Sequence, residues 1–418
     1  MKTTYSLLLI IFTSVSVYGQ SVTIRFDNKP SYVNVSKAAL KYNKDFALSF
    51  TYDDGLASPV DFCYAIQNGG TAKDGINYPG LFYTDGCGND IPFTSALAYY
   101  SLASNLVDLH SGLHSKYFSW NQLVDIYNGG WDALNHQYSG KGQAGIAEVI
   151  DNDSYTFTQT SALGTPINLT HFVVPAGQSG WITPAINAGI KSIHNESDGL
   201  DGHNFNIGGC LHCSTEGSLG FQVDTVTKVK EFLLTRENRD YRDSYPEMTN
   251  YIDQIAAKSI NGDKFWFSEF THGVGVGGTG GAFDWDDMKS YLQYLESTYG
   301  RSGSDRIIYA SVQEIWEYLH MRIKTNITSS LNDNLLTIDL DTSNCDKDLR
   351  RYHLTLLIDS DEDFSVVSWN GIENYSARTS GNEKILNLFI NSSVHHNLIT
   401  GVNKKSNLKL VKKIYIYI

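Results

Sequence analysis

Acidic and basic side chains that could catalyse hydrolysis follow several strand-like segments of the chain. Asp53 and Asp54 come directly after the apolar stretch FALSFTY, and His272 comes directly after FWFSEFT. His136 lies in GWDALNHQYSG, just beyond a segment with helical character. In barrels and open α/β sheets, the working residues lie where strands end. One acid and a histidine could therefore bind a metal, while the second acid accepts a proton from water.

Each of these residues also has an ordinary structural interpretation. Adjacent acids followed by glycine, as at Asp53 and Asp54, are typical of a solvated turn. A lone histidine such as His136 is more often structural than catalytic. Two neighbouring carboxylates repel each other, and on a strand they would point to opposite faces. The pair therefore indicates either a plain turn or a place where a positive group holds both acids.

The elements that would position these residues alternate between strand and helix from about residue 46 to residue 324. Ser119 and Gln122 have the spacing of a capping box at the start of one helix, and Ser311 and Glu314 have it at the start of another. The segment DWDDMKSYLQYLESTYG places its apolar residues on one helical face. This alternation predicts an α/β domain, for which a barrel is expected at this length.

The character of the chain changes after about residue 325. Short strand-like segments separated by Asn, Ser, Asp and Gly turns follow one another, and no helical pattern interrupts them; they are LLTIDLD, YHLTLLID, FSVVSWNG, KILNLFIN and KLVKKIYIYI. This pattern predicts an all-β sandwich over residues 325–418. Its role stays open, because such sandwiches serve both as carbohydrate binders and as spacers.

The first 20 residues have the features of a secretory signal peptide. Lys2 gives a basic start, residues 7–12 an apolar core and residues 17–19 a small-residue exit. The apolar core is too short to span a membrane, and no cysteine follows it closely as a lipid anchor. We therefore expect an exported protein, periplasmic or secreted, without a membrane anchor. A net charge of −13 argues against nucleic acid as a partner.

Two further motifs have only weak functional interpretations. Five cysteines leave at least one unpaired, and Cys210 and Cys213 form a C-x-x-C without a second ligand pair. A local disulfide or a plain loop is therefore favoured over a structural zinc there. GVGGTG, residues 275–280, matches a dinucleotide-binding pattern, but the next element begins later, near Asp284. We expect a loop beside His272 instead.

The order and context of the motifs resemble the polysaccharide deacetylase family, carbohydrate esterase family 4. The segments that carry the resemblance are SFTYDDG, GWDALNHQYSG, the strand running into VPAG, and FWFSEFTHG. The resemblance covers about residues 46–324, and DRIIYASVQEIWEYL is similar to the end of that domain in some exported bacterial members. It implies a distorted (β/α) barrel, here over residues 21–324, that removes N- or O-linked acetyl groups from a polysaccharide or oligosaccharide.

The resemblance also implies roles for individual residues. Asp53 would be the general base and His272 the general acid. Asp54 and His136 would bind a divalent metal, usually zinc. The family's second motif has another histidine four positions later, whereas this chain has Gly140 there. The arginine before the proline of the third motif and the aspartate that partners the last histidine have no match in the sequence.

The segment LHSGLHS places two histidines at the family's own spacing, upstream of the expected position. A surface loop before the Ser119 cap is the favoured interpretation of His110 and His114. A contribution of one of them as the third metal ligand is left open.

Three functions are compatible with these residues. The first is an exported, metal-dependent carbohydrate deacetylase, a hydrolase of amide or ester bonds, and the presence of both the base and the acid favours it. The alternative is a catalytically impaired glycan-binding protein on the same barrel, in which Gly140 marks a lost metal ligand. A metal-dependent phosphoesterase would use similar residues, but the sequence has no anion-binding loop to support it.

Overall fold

The computed structural model of the chain describes residues 19–196, 221–224, 232–240, 245–275 and 283–391. Most of the predicted signal peptide, the Cys210 and Cys213 pair and the last predicted strand lie outside the described residues. The α-helices are α1 (Ala65–Asn68), α2 (Trp120–Asn128), α3 (Ile146–Ala162), α4 (Ile182–Asn187), α5 (Tyr245–Lys258), α6 (Trp285–Tyr299) and α7 (Val312–Lys324).

The strands, in chain order, are β1 (Gln20–Phe26), β2 (Val33–Lys37), β3 (Phe46–Tyr52), β4 (Gly70–Thr71), β5 (Asn77–Tyr78), β6 (Phe82–Thr84), β7 (Asp90–Pro92), β8 (Ala96–Tyr99), β9 (Asp132–Asn135), β10 (His171–Val173), β11 (Ser192–Glu196), β12 (Phe221–Gln222), β13 (Phe232–Asn238), β14 (Phe265–Thr271), β15 (Val274–Gly275), β16 (Phe283–Asp284), β17 (Ile307–Tyr309), β18 (Asn326–Asn332), β19 (Leu335–Asp341), β20 (His353–Ser360), β21 (Phe364–Asn370), β22 (Ile372–Arg378) and β23 (Lys384–Ile390).

Seven parallel strands close into a barrel. Their order is β3, β8, β9, β10, β11, β13 and β14, and β14 pairs back with β3 along its whole length. Strand β17 pairs with the first half of β3, and β12 adds an antiparallel edge to β14. All seven residues of β3 are buried. A parallel strand covered on both faces needs a continuous apolar run, which explains why FALSFTY does not alternate.

The closed parallel barrel and the antiparallel β domain confirm the general architecture expected from the sequence. Helices α2, α3 and α4 join successive strands from β8 to β11. The connection from β3 to β8 departs from a regular strand–helix repeat, since it contains the short α1 and two small antiparallel sheets, β4–β5 and β6–β7. Most of the connection from β11 to β13 lies outside the described residues.

The helix starts largely follow the sequence prediction. Ser119 and Gln122 form the complete capping box of α2. Ser311 caps α7, but the carboxylate of Glu314 accepts a 2.7 Å hydrogen bond from Lys41 instead of closing a second box. Asp284 caps α6, so the element after GVGGTG begins where expected, although residues 276–282 of that loop are outside the described part.

The β domain consists of two four-stranded antiparallel sheets, in the orders β18-β19-β1-β21 and β2-β20-β23-β22. This pairing corrects the sequence-based boundary at residue 21. Strands β1 and β2 pair with C-terminal strands, so that Gln20 lies opposite Leu340 and Val33 opposite Ser360. Residues 20–37 therefore belong to the β domain and not to the barrel. Their alternating burial is the pattern of strands covered on one face only.

A buried cluster of charges joins the barrel to the β domain. Asp132, the first residue of β9, is fully buried, and its two carboxylate oxygens accept hydrogen bonds from Arg350 at 2.5 Å and from Arg351 at 2.8 Å. The hydroxyl of Ser311 also donates to Asp132. Because Asp132 begins its strand, this cluster lies at the amino-terminal end of the barrel, the end at which residues contribute to stability.

The described helices and cysteines relate to two of the expectations from the sequence. Among the described residues, none of the helices has both the length and the apolar character needed to cross a bilayer. Cys63, Cys87 and Cys345 are unpaired in the described structure. The expectation that at least one cysteine stays unpaired is therefore confirmed.

Candidate active site

One pocket collects residues from the carboxyl ends of six barrel strands. It has a volume of about 450 Å³ and lies where β3, β8, β9, β10, β13 and β14 end. Volumes of roughly 300–1,000 Å³ are usual for small-molecule sites. Asp53, Asp54, His136 and His272 all line it. The structure therefore brings together the four residues that the sequence singled out, as expected for the carboxyl ends of parallel strands.

The turn after β3 explains how adjacent aspartates reach the same pocket. Asp54 and Gly55 both have left-handed backbone conformations, with φ of +69° and +70°. The chain therefore turns sharply after Asp53 instead of sending the two side chains to opposite faces. A Cβ atom at Gly55 would lie 2.8 Å from the ring of His110 and from the Cβ of Tyr99. Only glycine fits this position.

His110 supports this turn and does not reach the pocket. It is fully buried, and its two ring nitrogens lie 2.7 Å from the carbonyl oxygen of Phe118 and 3.2 Å from that of Tyr100. Burial lowers the pKa of His110 to about 4, so the ring stays neutral. Neither His110 nor His114 lines the pocket. The open possibility that one of them completes a metal site is therefore wrong for His110, whose ring is fully buried outside the pocket.

Asp53 is held by an arginine that the sequence did not reveal. Its two carboxylate oxygens accept hydrogen bonds of 2.8 and 2.9 Å from the two terminal nitrogens of Arg236. Both side chains are buried, and the guanidinium also lies 4.2 Å from the centre of the Phe270 ring. This two-point contact fixes the plane of the carboxylate. Each oxygen keeps a second lone pair that can face the pocket.

His272 is oriented by a second residue that the sequence did not reveal. Its Nδ1 contacts a carboxylate oxygen of Asp240, and its backbone N–H donates to the other oxygen at 3.1 Å. Nε2 is therefore the ring nitrogen available to the pocket. Burial alone would lower the pKa of His272, but the hydrogen bond to Asp240 and the negative fields of Asp53 and Asp54 raise it to about 9. His272 is thus a proton donor at neutral pH.

This raised pKa gives a direct prediction for chelator-treated protein. NMR titration of His272 is expected to show a midpoint near pH 9. Its stabilising contribution is complete below the ordinary histidine range near pH 6.5 and is lost as the pH rises through 9. Asp240→Asn should lower the midpoint, whereas Asp286→Asn, an exposed acid on α6, should not. A midpoint near 6.5 in the unaltered protein would contradict the contact with Asp240.

Asp54 and His136 form a second pair in the pocket. Nδ1 of His136 lies 2.9 Å from the carbonyl oxygen of Val173, and its Nε2 lies 3.5 Å from Oδ1 of Asp54. Burial would lower the pKa of His136, but the neighbouring Asp54 and Asp53 outweigh this and raise it. The pKa of Asp54 is lowered, because His136 and His272 outweigh its burial. The pocket therefore favours an ionised carboxylate at Asp54 with a positive charge beside it.

The geometry of this pair fits two ligands of a divalent cation. Two donors each about 2.1 Å from a tetrahedral ion lie roughly 3.4 Å apart, close to the 3.5 Å between Asp54 and His136. The contact from Nδ1 of His136 to a backbone carbonyl is also the usual support of a metal-binding histidine. The described residues contain no group of three or more His, Cys, Asp or Glu side chains that could hold a metal.

Gly140 lies on the pocket wall at the position where the resemblance places a second histidine. A Cβ atom there would make only ordinary contacts, the nearest being 3.5 Å from the Tyr100 ring. The absence of a side chain at Gly140 is therefore not imposed by crowding. Among the pocket residues that the sequence analysis did not single out, Tyr100, Gln137, Gln178 and Arg236 carry polar side-chain groups.

Arg236 and Asp240 were missed because they lie in a region without a readable pattern. The segment FLLTRENRD forms β13 and the turn that follows it, yet most of its neighbours along the chain lie outside the described residues. A strand of apolar residues that ends in charged residues was a usable signal. The pairing of Arg236 with Asp53, 183 residues away in the chain, has no local signature.

Comparison with known proteins gives little guidance on function. No family model matches this chain, and no curated protein matches it. Among solved structures, the chain is similar to the Streptococcus pyogenes deacetylase PplD in complex with acetate, at 14% sequence identity and a TM-score of 0.26. The match covers 36% of this chain and 55% of the deacetylase chain, so it spans little more than half of that protein.

Proposed function

We propose that this protein is an exported, metal-dependent hydrolase that removes N- or O-linked acetyl groups from a polysaccharide. The observation that carries the proposal is the pairing inside the pocket. Asp53 is held by Arg236, and His272 is held by Asp240. An ionised acid and a protonated histidine, each fixed by its own charged partner, are the base and the acid that acyl transfer to water requires.

Asp53 and His272 have complementary tasks in this reaction. The free lone pairs of the Asp53 carboxylate accept the proton of the attacking water, while Arg236 keeps the carboxylate oriented. Nε2 of His272 then donates its proton to the departing nitrogen or oxygen of the sugar. The contact between Nδ1 and the carboxylate of Asp240 stabilises the protonated ring, so that Nε2 carries the proton to be donated.

Asp54 and His136 are the residues that would hold the divalent metal, which we propose to be zinc. A bound cation would polarise the acetyl carbonyl and stabilise the negative charge that develops on its oxygen. It would also relieve the repulsion between the two adjacent carboxylates, Asp53 and Asp54. We further propose that the barrel is the distorted (β/α) type of the polysaccharide deacetylases and that the N-terminal segment ahead of β1 directs export.

Glycan binding without catalysis is the second candidate, and Gly140 is the observation that favours it. With only Asp54 and His136 as family-type ligands, the cation would be held by fewer protein donors than the three that catalytic zinc usually has. The pocket wall formed by Tyr100, Val174 and Phe270 could then contact a sugar without any chemistry.

Acetate release from a panel of acetylated glycans distinguishes the two candidates. The panel contains chitin oligomers and peptidoglycan for N-acetyl groups and acetylated xylan for O-acetyl groups. The proposal predicts release from at least one substrate, its loss after chelation and its recovery with Zn²⁺. Retention of a glycan without any acetate release would support the binding protein instead. Release that chelation leaves unchanged would contradict the metal dependence.

A further inference from the structure

Gln137 is a pocket residue to which neither the sequence analysis nor the proposed reaction assigns a role. It follows His136 directly and lines the same pocket. Gln137 is buried, since only 6% of the residue is exposed. Within the described part of the chain, its Oε1 atom has no hydrogen-bond partner. A buried carbonyl oxygen without a partner costs about 1–3 kcal/mol and is therefore expected to have a ligand.

The backbone of Gln137 explains how it shares a pocket with its neighbour. Along an extended strand, His136 and Gln137 would point in opposite directions. Gln137 instead has a left-handed conformation with φ of +79°, which is uncommon for a residue other than glycine, asparagine or aspartate. Its N–H donates to the side chain of Asn135 at 3.0 Å and so holds this turn in place. This left-handed turn is how two consecutive residues come to line one pocket.

We infer that the side-chain carbonyl oxygen of Gln137 is the third protein ligand of the divalent cation held by Asp54 and His136. The inference rests on the proposed metal site. Gln137 takes the place of the histidine that the resemblance expects at the position of Gly140. An amide carbonyl is a normal oxygen donor for divalent cations, and together with one carboxylate and one imidazole it gives a site of mixed nitrogen and oxygen ligands. The cation in turn satisfies the buried Oε1 atom.

Calorimetric titration of chelator-stripped protein with ZnCl₂ tests this assignment. Gln137→Gly removes the donor and relieves the backbone strain, because glycine readily adopts a φ of +79°. It is expected to bind Zn²⁺ at least about 10-fold more weakly, since loss of even an outer-shell partner costs about 10–100-fold in affinity. Gln137→Glu replaces the carbonyl with a carboxylate of the same size and should bind at least as tightly as the unaltered protein.

Two controls separate this inference from the proposed function. Gln178→Ala removes an exposed glutamine from the wall of the same pocket and should leave the affinity unchanged. Asp54→Ala should abolish binding at the site. Binding lost in Asp54→Ala but retained in Gln137→Gly would overturn the role of Gln137 and leave the metal site intact. Binding equal in Asp54→Ala and the unaltered protein would overturn the metal site itself.

A spectroscopic measurement adds a readout that does not depend on affinity alone. The visible absorption of Co²⁺ bound at the site depends on the number and type of its ligands. Gln137→Gly is expected to change this absorption, and Gln137→Glu to change it in a different way, whereas Gln178→Ala should leave it as it is. Identical Co²⁺ spectra in all four proteins would overturn the inference.

Discussion

Replacing Asp53 with asparagine is expected to lower acetate release by about 10²–10⁴-fold, the usual contribution of a positioned general base. Asparagine has nearly the same shape, but its amide group does not accept a proton at neutral pH. Its NH₂ group would also face one terminal nitrogen of Arg236, where the carboxylate now accepts a hydrogen bond. Zn²⁺ affinity should change little, because Asp54 and not Asp53 faces His136.

A stability control is needed for Asp53→Asn. Breaking a buried ion pair from one side costs about 3–5 kcal/mol, and Asp53 and Arg236 are both buried. Asp132→Asn is the matched control, since it disturbs a buried aspartate–arginine cluster at the opposite end of the barrel. It should reduce stability while leaving acetate release by the folded protein unchanged. Equal loss of activity in both variants would mean that Asp53 acts through stability and not as the base.

The largest expected effect on stability comes from Asp132→Ala. This change removes the carboxylate that now accepts hydrogen bonds from both Arg350 and Arg351. The Arg351 side chain is only 12% exposed. Removing one partner of a buried ion pair costs about 3–5 kcal/mol. That is a large share of the roughly 5–15 kcal/mol by which native domains are stable. We therefore expect a clear fall in the free energy of unfolding.

Urea denaturation followed by tryptophan fluorescence measures this loss. The matched control is Asp90→Ala, which breaks a surface contact between Asp90 and Arg301 in which both side chains are more than 40% exposed. Exposed pairs of this kind contribute less than about 1 kcal/mol. A result for Asp132→Ala within that same limit would show that the cluster does not hold the barrel and the β domain together.

The sequence predicted that Asp53 and His272 converge in one pocket, because each of them follows a recognisable strand. Asp53 and His272 come at once after long apolar runs, and the carboxyl ends of parallel strands meet at one face of a barrel. Chain position alone could thus predict their convergence in the pocket. The same reasoning predicted the start of α2, since the capping box of Ser119 and Gln122 is a local signal.

The partners of these residues could not be predicted in the same way. Arg236 meets Asp53 through side chains alone, and the segment between β11 and β13 gives no pattern from which to place its strand. Strands β1 and β2 were assigned to the wrong domain for a similar reason. Their pairing partners β19, β20 and β21 lie near the other end of the chain, and local burial patterns carry no information about such distant pairing.

Gln137 shows a third limit of sequence reasoning. Nothing in GWDALNHQYSG distinguishes it from an ordinary polar turn residue. Its interest comes from a left-handed backbone conformation and a buried oxygen without a partner among the described residues. Both are properties of the folded chain. Gln137 lines the same pocket as Gly140, the position at which the resemblance expects a histidine.

Hydrolysis in ¹⁸O-labelled water tests the central claim most directly. Metal-saturated protein is incubated with the acetylated glycan panel in labelled water, and the released acetate is analysed by mass spectrometry beside Asp53→Asn. Attack of water on the acetyl carbon places the label in the acetate and leaves the sugar unlabelled, with little acetate from the variant. Absence of labelled acetate above the level of Asp53→Asn, from folded protein on every substrate, would contradict the account.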